Sequence, residues 1–218
     1  MNIVIDQGNA SAKVALFDKD KLMVSFIYKP LRKEQMEKIL NQYSPRYGIL
    51  SAVADVPSAV TDLLKKRLER FIELDGQVSL PVEVMYRTPE TLGKDRLAAV
   101  VGAQSIHPRC NILVIDAGTA LTYEFLDASG KYWGGNISPG MTTRFKSLKS
   151  ATKRLPLLDE QGSIPEIGYD TETAIRTGVV KGMIYEMDAY ITEYKLKYPG
   201  LFVFLTGGHS FYFETKLK

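Results

Sequence analysis

A short phrase near the amino terminus, Ile5-Asp6-Gln7-Gly8-Asn9-Ala10, returns 110 residues later as Ile115-Asp116-Ala117-Gly118-Thr119-Ala120. Each copy closes an apolar run, Ile3-Val4-Ile5 in the first and Ile112-Leu113-Val114-Ile115 in the second. Each then leads into another apolar or alternating stretch, ending Val14-Ala15-Leu16-Phe17-Asp18 or Tyr123-Glu124-Phe125-Leu126-Asp127. Apolar run, glycine-bearing turn and second run read as strand, tight turn, strand. Two copies predict two similar domains across a cleft, each lending one turn to a shared ligand.

The chemistry of the turns narrows that ligand. Glycine lets the backbone approach a bulky anion and exposes N–H donors. Asn9, Ser11, Thr119 and Thr122 add side-chain hydrogen bonds, and Lys13 adds a cation. An aspartate at the mouth of a phosphate loop would repel phosphate unless a cation lay between them. Asp6 and Asp116 therefore argue for a nucleotide held with a metal, most simply Mg²⁺ through water and one or two carboxylates. Taken singly, either turn reads better as an ordinary hairpin, with Asp and Gly there for turn geometry. The matched pair favours the ligand.

Length allows one large domain or two of about 100 residues each. The net charge is only +3, from 28 basic and 25 acidic residues, so no strong nucleic-acid or membrane field is expected. The densest basic stretch, Arg144 to Arg154, has no aromatic ladder and reads as a solvated helix face. A single cysteine, Cys110, excludes an internal disulfide and a Cys-based zinc cluster. His107 and His209 are isolated, against a histidine metal site. With no signal segment and no apolar run of membrane-span length, a cytoplasmic protein is expected.

Strand and helix patterns alternate along the chain. Leu31 to Tyr43 places Met36, Ile39, Leu40 and Tyr43 on one helical face, and Ile49 to Ala54 suits a buried strand. A helix starting near Asp55-Val56-Pro57-Ser58 would line up Val60, Leu63, Leu64, Arg67, Leu68 and Phe71. Val82 to Tyr86 reads as a strand and Leu92 to Gln104 as a helix. Gly134 to Gly140 reads as a glycine-proline loop before a basic helix, and Glu160 to Tyr169 as irregular. Apolar residues at helical spacing run from Thr171 to Tyr194, then Phe202 to Leu205 reads as a strand. The expected domains are 1–108 and 109–218.

A third signal is Gly93-Lys94-Asp95-Arg96. In isolation it reads as a solvated charge cluster. On a helix, though, neighbouring residues point in different directions, so Asp95 could orient a substrate hydroxyl while Arg96 grips an anion with its two-pronged guanidinium. That arrangement suits phosphoryl transfer, where positioning and charge neutralisation dominate.

Six motifs occur in one order: Asp6-x-Gly8-Asn9 with Lys13, Gly93-x-Asp95-Arg96, Asp116-x-Gly118-Thr119-Ala120, Gly134-Gly135-x-Ile137-x-Pro139-Gly140, Leu155-Pro156 and Thr206-Gly207-Gly208. Together the chain resembles the type III pantothenate kinases over nearly its whole length. The resemblance implies the acetate and sugar kinase, heat-shock ATPase and actin superfamily: an α/β fold of two ribonuclease H-like domains of duplicated topology, with an interdomain nucleotide cleft. It implies ATP-dependent phosphorylation of the primary hydroxyl of pantothenate to 4'-phosphopantothenate, the first step of coenzyme A biosynthesis.

Carried over position by position, Asp6, Gln7, Gly8, Asn9, Ala10, Ser11, Ala12 and Lys13 would hold the ATP phosphates, with Mg²⁺ at Asp6, and Thr119 would contact ATP. Asp95 would accept the proton of the pantothenate hydroxyl. Gly93, Lys94 and Arg96 would form the substrate loop, with Arg96 on the carboxylate. Tyr86 matches a substrate-contacting aromatic, although it also reads as a half-buried strand tyrosine. Asp116 matches a ligand for a monovalent cation, K⁺ or NH₄⁺. Thr171 matches a threonine reaching the pantothenate pocket across a homodimer interface, and reads also as a helix N-cap.

The sequence departs from the family where Ala10 replaces the usual threonine and at Lys94, a variable position. Only ten residues follow Gly208, so a second domain shortened at its carboxyl end is expected. Two other readings fit the same fold, a polyphosphate or nucleotide phosphatase and a non-catalytic regulatory protein. The Gly93–Arg96 loop and Tyr86 argue against the first, and retention of Asp6, Asp95 and Asp116 against the second.

Overall fold

The computed structural model describes residues 1–74 and 78–217. It divides into two compact units, Met1–Leu80 with Thr88–Ala98, and Pro81–Arg87 with Ala99–Lys218. The first contains β1 (Asn2–Gln7), β2 (Ala12–Asp18), β3 (Lys21–Tyr28), α1 (Lys33–Tyr43), β4 (Tyr47–Ala52), α2 (Ser58–Arg67) and β5 (Arg70–Glu73). Its five strands are ordered β3-β2-β1-β4-β5. The β1-β2-β3 meander is antiparallel, while β4 and β5 run parallel to β1.

The second unit opens with β6 (Glu83–Val84) and receives α3 (Lys94–Ile106), whose residues 94–98 cluster with the first unit. It continues through β7 (Ile112–Ala117), β8 (Ala120–Leu126), β9 (Lys131–Pro139), α4 (Met141–Ala151), α5 (Thr171–Lys197), β10 (Phe202–Thr206) and α6 (Ser210–Phe213). Its five strands are ordered β10-β7-β8-β9-β6. The meander β7-β8-β9 with β10 parallel to β7 repeats β1-β2-β3 with β4. This is the duplicated ribonuclease H-like topology. The outer strand differs: β6 adds beside β9, on the opposite edge from the place β5 takes in the first sheet. Among the described residues no helix is long and apolar enough to cross a membrane.

Burial explains why these segments chose their elements. In β1, Ile3 and Ile5 are wholly buried while Val4 is half-buried, so the strand presents one packed face. They meet Met36, Ile39 and Leu40 of α1 and Val60 and Leu64 of α2 in one core. In β7, Ile112, Leu113, Val114 and Ile115 are all buried, the run expected of a strand covered on both faces. Leu113 and Ile115 pack with Met141 and Phe145 of α4 and with Val179, Val180, Met183 and Met187 of α5. Helix α5 is capped by Asp170, whose carboxylate accepts the Thr173 N–H at 2.8 Å, and it ends with Lys195 and Lys197 suited to its dipole.

The structure corrects the sequence reading in three places. Phe71 does not line α2; that helix ends at Arg67, Leu68 is extended, and Phe71 lies in β5 opposite Gly48. Thr171 is not the α5 cap but its first helical residue, one position after Asp170. Residues 134–139 are not a loop but most of β9. Its glycines are there for close approach rather than turning. A methyl group on Gly135 would overlap the Tyr123 carbonyl on β8, and one on Gly134 would lie 2.6 Å from the Tyr86 ring.

Gly135→Ala should therefore force β8 and β9 apart. Overpacking a filled site costs about 1–3 kcal/mol, which for a chain of this size is a melting temperature lower by roughly 2–12 °C. A thermal melt unchanged within a degree would contradict this account of the motif.

Candidate active site

Site residues in the first unit cluster at the carboxyl end of β1. The Asp6 backbone pairs with Lys13 on β2 and Ser51 on β4, so register sets these three residues in one row across the sheet. The Gly8 N–H donates to the Ser11 carbonyl at 3.0 Å, and the Gln7 Nε2 donates to the Gly8 carbonyl at 2.9 Å. That closes a turn in which Asn9 and Ala10 are exposed and Ser11 half-exposed. The buried Ala12 and exposed Lys13 then start β2.

Gly93-Lys94-Asp95-Arg96 opens α3. Asp95 stands in the first turn, where a helix end favours an anion, and its Oδ1 accepts the Arg96 N–H at 2.9 Å. A side chain at 93 would press on that oxygen, with its Cβ 2.5 Å away, so glycine leaves the carboxylate its position. Asp95 is exposed, Lys94 half-buried, and Arg96 only 7% exposed.

Asp6 and Asp95 feel one another. Burial raises the pKa of the Asp6 carboxyl, Lys13 opposes the rise, and the Asp95 charge adds to it. A half-buried carboxylate beside a second one is a site that a cation relieves. The Ser51 Oγ is also buried without a hydrogen-bond partner in the row that holds Asp6, an oxygen left over for a hydrated ion or a phosphate. Among the described residues no three His, Cys, Asp or Glu side chains group as a metal cage. An ion here would thus take one or two carboxylates and complete its shell from phosphate and water, the habit of Mg²⁺.

The second turn is a shorter copy. Asp116 pairs with Thr122, where Asp6 pairs with Lys13, because the β7–β8 connection is one residue tighter. The Gly118 N–H accordingly reaches the Ala120 carbonyl at 3.0 Å. Half-buried Asp116 is walled by glycines: a Cβ on Gly118 would lie 3.2 Å from its Oδ1, and one on Gly207 would overlap it. Gly207, with φ +95°, supplies the backbone bend after β10. The register neighbours of Asp116 across the strands are Thr122 and Thr206. Thr119 is exposed, and its carbonyl accepts the Gly140 N–H at 3.0 Å and the Thr143 hydroxyl at 2.7 Å.

Two further residues lie elsewhere in the second unit. Tyr86, just past β6, sets its ring against Gly134. Thr171 joins Arg144, Leu155, Ile175 and Gly178 around a groove of about 650 Å³.

Against known proteins, the family described as type III pantothenate kinase matches residues 2–193. The chain is 52% identical over 219 aligned residues to a type III pantothenate kinase of Bacteroides fragilis strain YCH46, covering 100% of this chain and 90% of that one. A type III pantothenate kinase of Phocaeicola vulgatus is 46% identical over the same shares of both chains. The chain belongs to the type III pantothenate kinase family. Two solved structures share its fold. A putative N-acetylmannosamine kinase from Listeria monocytogenes superposes with a TM-score of 0.52 at 12% identity, over 99% of this chain and 89% of that one. A putative 2-dehydro-3-deoxygalactonokinase from Sinorhizobium meliloti gives 0.52 at 14% identity, over 96% and 95%. At such identities the likeness is one of fold alone.

Sequence reasoning about this pantothenate kinase family member missed Ser51 and Glu186. Ser51 lies in a run read only as a buried strand, and a polar residue at the carboxyl end of a parallel strand beside a motif strand was the available signal. Arg144 departs from the solvated face expected of its basic stretch. Lys146, Lys149, Lys153 and Arg154 are exposed, but the Arg144 side chain is only 20% exposed and pairs with Glu186.

The raised Asp6 pKa has a definite sign. The folded state holds that proton more tightly than the unfolded chain, so ligand-free stability falls as pH rises from about 3.8 through the folded value. Asp6→Asn removes this loss. Melting curves against pH should show the variant gaining on the wild type as pH rises, reaching equal or higher stability at pH 7. A variant that loses ground with rising pH contradicts the assignment.

Proposed function

We propose that this chain phosphorylates the primary hydroxyl of pantothenate with ATP, giving 4'-phosphopantothenate at the entry to coenzyme A biosynthesis. The observation that carries the reading is family membership over the whole chain, joined to the Asp6–Asp95 carboxylate pair in the first unit.

The Gly8–Ser11 turn offers N–H and hydroxyl donors to the ATP phosphates, and Lys13 adds positive charge beside them. Asp6, with Ser51 in its row, holds Mg²⁺, which supplies charge neutralisation on the phosphates when bound. Asp95 accepts the proton of the pantothenate hydroxyl and aligns its oxygen for in-line attack on the γ-phosphorus. The bond from that oxygen to phosphorus forms as the bond to the β-bridging oxygen breaks, and ADP leaves with the electron pair. Arg96 takes the pantothenate carboxylate; its burial holds the guanidinium on a fixed bearing. Tyr86 lends its ring to the substrate, with Gly93 and Lys94 forming the loop floor. Asp116 holds a monovalent cation in its glycine cradle, and Thr119 contacts ATP.

A homodimer fits the outward face of α5. Nothing lies within 4 Å of where a Cβ would stand on Gly178 or Gly182, and Tyr185 beside them is 65% exposed. Thr171 at the head of that helix would then reach the partner's pantothenate.

An ADP-release assay with pantothenate, Mg²⁺ and either K⁺ or Na⁺ tests the reading. Wild type should require pantothenate and prefer K⁺. Asp95→Asn should lower kcat by about 10²–10⁴-fold, the span of a lost general base, with the ATP Kd changed less than about threefold. Near-normal turnover of Asp95→Asn removes that residue from the chemistry, and ADP release independent of pantothenate removes the kinase reading.

A further inference from the structure

Glu186 lies in the middle of α5, far along the sequence from every motif, yet three elements converge on it. Its carboxylate accepts the Tyr123 hydroxyl of β8 at 2.9 Å and the Ser138 hydroxyl of β9 at 2.6 Å, and it forms an ion pair with the Arg144 guanidinium of α4. The two charged side chains are 24% and 20% exposed. Burial works to raise the Glu186 pKa, but hydrogen bonds from Arg144, Ser138 and Tyr123 outweigh it and hold the carboxyl below its ordinary range. Burial and the adjacent Glu186 charge push the Tyr123 hydroxyl upward, so it stays a donor.

Arg144 carries the connection onward. Its Nε donates to the Pro139 carbonyl at 2.7 Å, and its Nη2 donates to the Ser138 Oγ at 3.2 Å. The next residue, Gly140, donates its N–H to the Thr119 carbonyl, and Thr143, one position before Arg144, donates its hydroxyl to the same oxygen. Gly140 sits so close to the second turn that a methyl there would overlap the Gly118 carbonyl. One path of hydrogen bonds therefore runs from the α5 carboxylate through the α4 guanidinium and the end of β9 to the turn carrying Thr119.

We propose that Glu186 and Arg144 are positioning residues for the Gly118–Thr119 turn, holding Ser138-Pro139-Gly140 against it so that the turn meets the nucleotide already in shape. The guanidinium suits the task because its planar fork reaches a carboxylate and a backbone carbonyl at once, which an ammonium does not. A charge pair only 20% and 24% exposed is costly to break on one side. The inference rests on reading Thr119 as a nucleotide contact.

Glu186→Gln and Arg144→Lys keep side-chain size and a hydrogen-bonding end but lose the paired fork. ATP Kd by calorimetry, KM for ATP and pantothenate, and melting temperature are measured for each, for the double variant, and for Glu193→Gln as an exposed control on the same helix. Each single variant should raise the ATP Kd and KM about tenfold, the scale of coupling within one network. The pantothenate KM should stay within about twofold, and the double variant should be no worse than either single. Variants with lower melting temperatures but unchanged ATP Kd make the network merely structural and overturn the proposal, as do fully additive losses in the double variant. Wild type that binds ATP without phosphorylating pantothenate overturns the kinase reading alone, with the Kd series still deciding this one. Wild type that binds no ATP overturns both.

Discussion

Burial of one carboxylate, Asp6, is the constraint on which the first unit's site depends. Asp6 is fixed by the β1–β2 and β1–β4 hydrogen-bond ladders, and Asp95 by the first turn of α3, so neither moves away from the other without breaking backbone structure. Burial already disfavours the ionised Asp6, Asp95 worsens it, and Lys13 offsets only part. On the proposed function, a cation relieves the charge held there. The exposed donors of the Gly8–Ser11 turn, the buried Arg96 and the unpartnered Ser51 hydroxyl all become intelligible around such an ion and the phosphates it accompanies.

Duplication gave the chain two versions of one hairpin, and their differences matter as much as their likeness. The first has an extra residue in its connection and a lysine across from its aspartate; the second is tighter and has a threonine there. The cation beside Asp6 suits contact with phosphate. Asp116 instead faces Thr122, with Gly118 and Gly207 close around its carboxylate. The second turn is also the better braced, through Gly140 and Thr143 to the α4–α5 charge pair. In the first unit the corresponding turn is tied back chiefly by Val53, whose N–H donates to the Gln7 carbonyl at 3.0 Å.

Periodicity made the helices and the motif strands legible. Met36, Ile39 and Leu40 face the core as their spacing requires, and the long apolar recurrence after Thr171 is one helix, running three residues beyond Tyr194. The duplicated phrase revealed the shared topology because Ile-Asp-x-Gly recurs with its apolar run at both sites. Strands β3, β5 and β9 were illegible for separate reasons. Edge strand β3 leaves Leu22, Met23 and Ile27 exposed and lacks clean alternation. Four-residue β5 follows α2 so closely that Phe71 continues a helical pattern. In β9, Gly134, Gly135 and Pro139 imitate a loop, although the glycines answer to the Tyr86 ring and the Tyr123 carbonyl. Of the candidate site, charged and glycine positions close to one another in sequence stood out. Glu186 did not, because its partners Tyr123, Ser138 and Arg144 come from three separate elements and only folding assembles them.

On the proposed function, metal and triphosphate meet at the carboxyl end of β1. A crystal structure with Mg²⁺, a non-hydrolysable ATP analogue and pantothenate tests it most directly. The account predicts the metal within coordination range of the Asp6 carboxylate, directly or through one water, with phosphate oxygens on the Gly8–Ser11 turn. It also predicts the pantothenate hydroxyl within hydrogen-bond reach of Asp95. Nucleotide bound with its phosphates away from that turn, or metal held without Asp6, would contradict it.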